Sequence, residues 1–147
     1  MNSIYASLLG WATGKGLRVD DPNSMIEEGD LLTNPPLIQA ITELYNTLPE
    51  TDLLRVQVMQ DLLCLAKADP ANNLTLLSLP SFHRWLLNSL MSSMPFGNTE
   101  MPLNTKLIWE IGCKLHASIM VSVIPTWSHS RLDEVMQWAE GKPRVKS

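Results

Sequence analysis

From Thr51 to Leu90 the chain reads as a long, mostly apolar helix, a break at Asp69-Pro70-Ala71-Asn72-Asn73, a short leucine run, a second break at Leu79-Pro80, and an amphipathic helix holding Trp85. Proline lacks the backbone donor and pushes the residue before it out of helical geometry, so each proline fixes where a helix stops. The first helix, capped by Thr51 and running to about Ala68, carries Leu53, Leu54, Val56, Val58, Met59, Leu62, Leu63, Leu65 and Ala66 around most of its circumference. Such a helix has to be buried on several sides, with Asp52, Arg55, Gln57, Gln60, Asp61 and Lys67 as its wet edge. Helix, sharp turn, helix is the grammar of an α-solenoid, in which each unit buries its apolar face only against neighbours. The expected fold is all-α: a solenoid segment or an irregular bundle of about six to seven helices.

The remaining segments agree. Ile4 to Thr13 forms a first helix, with Ile4, Leu8 and Trp11 on one face and Tyr5, Leu9 and Ala12 adjacent; Gly14 suits its C-cap. Residues 15–33 form a long loop rich in acids (Asp20, Asp21, Glu27, Glu28, Asp30). Asn34-Pro35 starts a second helix to Leu48, with Leu37, Ile38, Ile41, Leu44, Tyr45 and Leu48 along its apolar face. After the 51–68 helix come a short helix at Leu74–Ser78 and one from Pro80 or Ser81 to Met94. A turn at Pro95-Phe96-Gly97-Asn98 precedes a helix from Leu103 to Ile124, striped by Leu107, Ile108, Ile111, Leu115, Ile119 and Val123. Ser130 caps a last helix, Arg131–Glu140, and Lys142, Arg144 and Lys146 mark residues 142–147 as a basic tail, read as a frayed, disordered end.

At 147 residues the chain is one helical domain or a piece of a larger protein. Charged residues make up 18%, against about 25% in a typical domain, which implies that neighbours or a partner cover additional apolar surface. The formal net charge is −4 and no basic stripe follows any helix, so nucleic acid is excluded as a partner class. The start lacks the charged and apolar regions of a signal peptide, and no apolar run reaches membrane-spanning length. Cys64 and Cys113 fall in helices, read as buried free thiols. The expected setting is the cytoplasm, with membranes reached only through partners, and the sequon Asn73-Leu74-Thr75 is read as accidental.

Candidate chemistry is sparse. Gly10-Trp11-Ala12-Thr13-Gly14-Lys15-Gly16 is one residue short of a phosphate-binding loop, ends on Gly16 in place of the hydroxyl, and leaves a helix instead of opening one. Asp20, Asp21, Asn23 and Ser24 begin like a calcium loop, but Pro22 and a missing glycine spoil it, so a solvated loop is expected. His83, His116 and His129 form no closely spaced ligand set; Cys113 and His116 share a helix turn without an evident third ligand. No metal, cofactor or catalytic group is therefore assigned. Of the five tryptophans, Trp85 and Trp109 fall on core stripes, whereas Trp138, Trp127 and Trp11 are the candidate protein contacts, tryptophan being favoured at interface hot spots.

The order Leu62-Leu63, Leu65, Lys67, Asp69-Pro70, Asn72-Asn73, Leu77, then Leu79-Pro80, Phe82 and Trp85-Leu86-Leu87 resembles the armadillo-like helical region of BEACH-domain (neurobeachin-like) proteins. Leu115 to Trp127 and the opening Ile4-Tyr5, Leu8-Leu9-Gly10 are similar to that region too. Those proteins are much longer, so the resemblance implies a fragment or short relative of a vesicle-trafficking scaffold. It carries no catalytic residues. The expectation is a non-catalytic scaffold or interaction module that meets a protein partner, adjacent helical repeats or a second copy of itself; an unrelated helical adaptor or regulatory subunit is the alternative, and a small helical enzyme has least support.

Overall fold

The computed structural model describes residues 3–15, 26–95 and 100–123. These form six helices: α1 (Ser3–Ala12), α2 (Pro36–Thr47), α3 (Leu53–Ala68), α4 (Pro70–Ser78), α5 (Phe82–Ser93) and α6 (Leu103–Val123). The described residues contain no strand, and the chain is an all-α bundle. The expected helix Arg131–Glu140, the basic tail and most of the acidic loop lie outside the described residues, as do Trp127 and Trp138.

α3 packs most extensively on α6, and α2 touches α5, so these contacts pair elements three apart in chain order. α3 and α6 run in the same direction: Asn104 at the start of α6 donates to the Thr51 carbonyl just before α3, at 2.7 Å. α6 also covers α4 and α5, while α1 packs on α2. The core joins Val58, Met59, Leu62 and Leu65 of α3 to Ile108, Leu115 and Ile119 of α6, with Leu76, Leu86, Ile38, Ile41, Tyr5 and Leu9 from the other helices. In α1 the Tyr5–Leu9–Ala12 face is the inward one, and Ile4 and Trp11 face out.

The expected break at residues 69–73 narrows to Asp69 alone. Asp69 is extended (φ −156°), as a residue before proline prefers, and its carboxylate accepts from the Ala71 N–H at 2.8 Å. Pro70 then occupies the first turn of α4, where its missing N–H costs nothing. Asn72 and Asn73 are thus helical and almost fully buried. Asn72 Nδ2 donates to the carbonyls of Leu65 at 2.8 Å and Asp30 at 2.7 Å, and its Oδ1 accepts from Leu32 N–H at 3.0 Å. Asn73 Nδ2 donates to the Ala66 carbonyl at 2.9 Å, and Ser118 of α6 donates to its Oδ1 at 3.4 Å. Buried amides with such partners override the poor helix propensity of Asn, and they take the sequon asparagine out of reach of modification.

Four other expectations change. Asp52, not Thr51, caps α3, accepting from Leu54 N–H at 2.9 Å. The wet edge of α3 is partly dry: the Tyr5 hydroxyl donates to Asp61, which also accepts from Gln57 at 2.9 Å, and Arg55 lies on the Tyr45 ring. The end of the acidic loop is not merely solvated, because Lys15 pairs with Asp30 and, at 3.8 Å, with Glu27, while Gly29 N–H donates to the Ala68 carbonyl at 2.8 Å. Cys64 and Cys113 are free thiols, but half-buried. Gly14 does close α1, with φ +74°.

Two stability measurements follow from these contacts. Asn72→Ala strands two carbonyls and one N–H in a dry site, and urea unfolding should show a loss of about 3 kcal/mol, given about 1–3 kcal/mol for a buried group left unsatisfied; a change near zero would mean the amide ties nothing together. Burial raises the Asp61 carboxyl above its ordinary range despite the Tyr5 and Gln57 hydrogen bonds. The folded state therefore holds this proton more tightly than the unfolded state, and the stability associated with it is lost as pH rises through the folded-state value. Asp61→Asn should accordingly exceed the parent in stability at neutral pH, with the gap closing in acid below the ordinary carboxylate range; a gap independent of pH would contradict this.

Candidate functional site

The main recess lies where α2, the start of α3 and α5 meet. Its floor is aromatic. Trp85 is buried, packs edge-on against Tyr45 at 5.1 Å and 84°, and lies 5.7 Å from Phe82. The indole Nε1 donates to Asn46 Oδ1 at 3.1 Å, which fixes α5 to α2. Arg55 of α3 stacks on the open side of Tyr45, its guanidinium carbon 4.6 Å from the ring centroid. A guanidinium on an aromatic face keeps its N–H groups, which lie in its own plane, for other acceptors.

These groups wall a cleft of about 350 Å³ completed by Glu50, Ser81, Arg84, Asn88, Ser89, Ser92 and Ser93. A second recess of about 230 Å³, lined by Ile38, Thr42, Leu79, Pro80 and Phe82 among others, shares Asn46, Ser81 and Trp85 with it. The first is polar and rich in donors; the second is mixed, with Gln39, Thr42 and Glu43 beside Ile38, Leu79, Pro80 and Phe82. Arg55 Nε is buried and has no acceptor. Among the described residues the ion pairs are those of Lys15, so Glu50, which lines the same cleft, makes no direct ion pair with Arg55 or Arg84. Burial holds the Tyr45 phenol above its ordinary range, opposed by the Arg55 charge and by hydrogen bonding from Ser89 and from Arg55. Tyr45 therefore stays neutral at physiological pH and serves as a platform.

Ser81, shared by both recesses, has φ +68° and is the non-glycine residue in the left-handed region among those described. Its carbonyl accepts from Trp85 N–H at 2.9 Å, so this strained residue sets the first turn of α5 and the position of the tryptophan.

The candidate residues from the sequence divide. Trp11 is 55% exposed on α1, available for contact, and lines neither of the two recesses. Trp127 and Trp138 lie outside the described residues. Trp85 is core, as expected, and Trp109 packs half-buried against the core. Lys15, the lysine of the near phosphate loop, is engaged by Asp30. His83 and His116, 33 positions apart, face each other with Nε2 atoms 3.2 Å apart. Among the described residues no three His, Cys, Asp or Glu side chains converge as metal ligands, and no helix is long and apolar enough to cross a membrane. Sequence reading missed the cleft because Arg55 counted as a wet-edge residue and Arg84 and Asn88 lay off the apolar stripes. Its residues are scattered over α2, α3 and α5, so no local signal in the sequence brings them together.

Comparisons with family models, with curated proteins and with solved structures return no match.

Ser81→Gly should relieve the left-handed strain and raise stability by about 1 kcal/mol. Thermal unfolding checks it, and a destabilised variant would show that the Ser81 side chain holds the turn.

Proposed function

We propose that this chain is a non-catalytic helical interaction module and that the cleft between α2, α3 and α5 receives an acidic side chain or terminal carboxylate of a partner protein. The observation that carries this reading is Arg55: stacked on Tyr45, buried at Nε, and lacking an acceptor there. A buried donor without a partner has a standing free-energy cost, and an incoming carboxylate removes it once the Arg55 side chain turns its covered Nε–H toward the cleft. Arg84 adds a second unpaired charge at an exposed position, and Trp, Tyr and Arg are the residue types that dominate interface hot spots. The cleft offers donors and ring faces, not a nucleophile held by a base, which favours binding over catalysis.

A second reading, in which the chain is a unit of a longer scaffold of the BEACH type, draws support from the three-apart helix pairing and from one exposed row. Leu87, Met91 and Met94 follow one face of α5 and are 39%, 65% and 39% exposed. A further helical repeat or a second copy would cover that row. Concentration-dependent sedimentation that disappears in Met91→Glu favours this reading; a concentration-independent monomer counts against it.

For the first reading the test is retention on a peptide array graded from neutral to glutamate-rich. The parent should bind the acidic members, and Arg84→Ala, at an exposed position, should weaken them about tenfold, the equivalent of roughly 1.4 kcal/mol. Retention that ignores peptide charge, or is unaffected by Arg84→Glu, would overturn it.

A further inference from the structure

His83 of α5 and His116 of α6 meet across two antiparallel helices. Their Nε2 atoms are 3.2 Å apart, their ring centroids 5.3 Å apart, and their planes within 15°. The centroid separation exceeds the nitrogen separation by nearly two ring radii. The rings therefore meet nitrogen to nitrogen and do not stack face on face. Where the helices pack, α6 carries Gly112 one turn before His116: a Cβ there would stand 2.7 Å from Leu90 Cδ2 of α5, so the Leu90 side chain would have to move. Both rings are half-buried, so they are held in place yet reachable from solvent. Two imidazoles so placed can share one proton but not carry two, since two cations would repel. Burial and then the neighbouring His83 lower the basicity of His116, which leaves its ring neutral near pH 7.

We infer that His83 and His116 form a two-point clamp for a divalent late transition metal ion, of which zinc is the reference case. Imidazole is a preferred ligand for these ions. Tetrahedral zinc holds imidazole nitrogens at about 2.0–2.1 Å, which places two such ligands roughly 3.3 Å apart. The observed 3.2 Å is close to that bite; each lone pair must swing by roughly 35° from the line joining the nitrogens to aim at the ion, so the rings and the helix turns that carry them readjust on binding. Because no third His, Cys, Asp or Glu completes the set among the described residues, the remaining positions go to water or to an incoming donor. The ion would join α5 to α6. It would act independently of the arginine cleft, which lies on the other side of α5 against α2 and α3.

Zinc chloride titrated into the metal-free full chain, followed by thermal unfolding and by calorimetry, tests the assignment. The melting temperature should climb with the logarithm of free zinc and return to its starting value with a chelator. His83→Ala and His116→Ala should each weaken binding at least about tenfold, and His83→Gln, which keeps a polar side chain against α6, should weaken it equally. No zinc-dependent shift up to about 1 mM, or equal shifts in the parent and all three variants, would overturn the site.

Discussion

The fold depends on the side-chain amide of Asn72. It sits at 1% exposure where three segments converge: the last turn of α3, the first turn of α4, and the chain returning from the acidic loop. The end of α3 leaves one backbone group over and the returning chain leaves two, while α4 supplies the side chain. The Leu65 carbonyl, the Asp30 carbonyl and the Leu32 N–H all find their partner in this one side chain. An amide is the only neutral group that offers two donors and an acceptor in so small a volume. Asn73 repeats the device one residue on, from the Ala66 carbonyl to Ser118 of α6. The corner between α3 and α4 is therefore held by hydrogen bonds, and the leucines around it can pack without having to define its angle.

That corner has consequences at a distance. With α3 and α4 fixed, α6 lies along α3 and covers α4 and α5. α5 is then held between α6 on one side and α2 on the other, and its two polar contacts differ in kind. Toward α2 the Trp85–Asn46 bond and the ring pair with Tyr45 close the floor of the cleft. Toward α6, one turn from Gly112, His83 meets His116. Burial of Tyr45 and the stacking of Arg55 on it make the cleft a cationic recess in a protein of net charge −4. Local positive potential in an otherwise acidic molecule favours selectivity for the group that enters the recess over general attraction of anions.

Among the described residues, helix number and order were legible in the sequence because they rest on apolar period and proline position, which are local. The core residues of α2, α3 and α6 follow from the same period. Three misreadings share a physical cause. Asn72 and Asn73 looked like a turn, since Asn disfavours helix interiors, but tertiary hydrogen bonds reversed that preference. Arg55 and Asp61 looked solvated because charged residues on a helix normally are, yet Tyr45 and Tyr5 cover them. The histidine pair was hidden because 33 residues separate its members, and only the packing of α5 on α6 joins them. The cleft belongs to the same class: its residues come from α2, α3, α5 and the connections beside them, and no stretch of the chain announces it. Trp127 and Trp138, the contacts suggested at the other end of the chain, lie outside the described residues.

The central claim is that the Arg55 Nε–H awaits an external carboxylate. This proton has its own resonance in a nitrogen–proton correlation spectrum, and Arg55→Lys assigns it. Titrated with a glutamate-rich peptide, the signal should shift downfield and saturate at the same concentration as the backbone signals of Asn46 and Asn88, as a new charge-assisted hydrogen bond requires. If the peptide binds while the Arg55 Nε–H signal stays in place, the cleft is not the contact surface and the account is wrong.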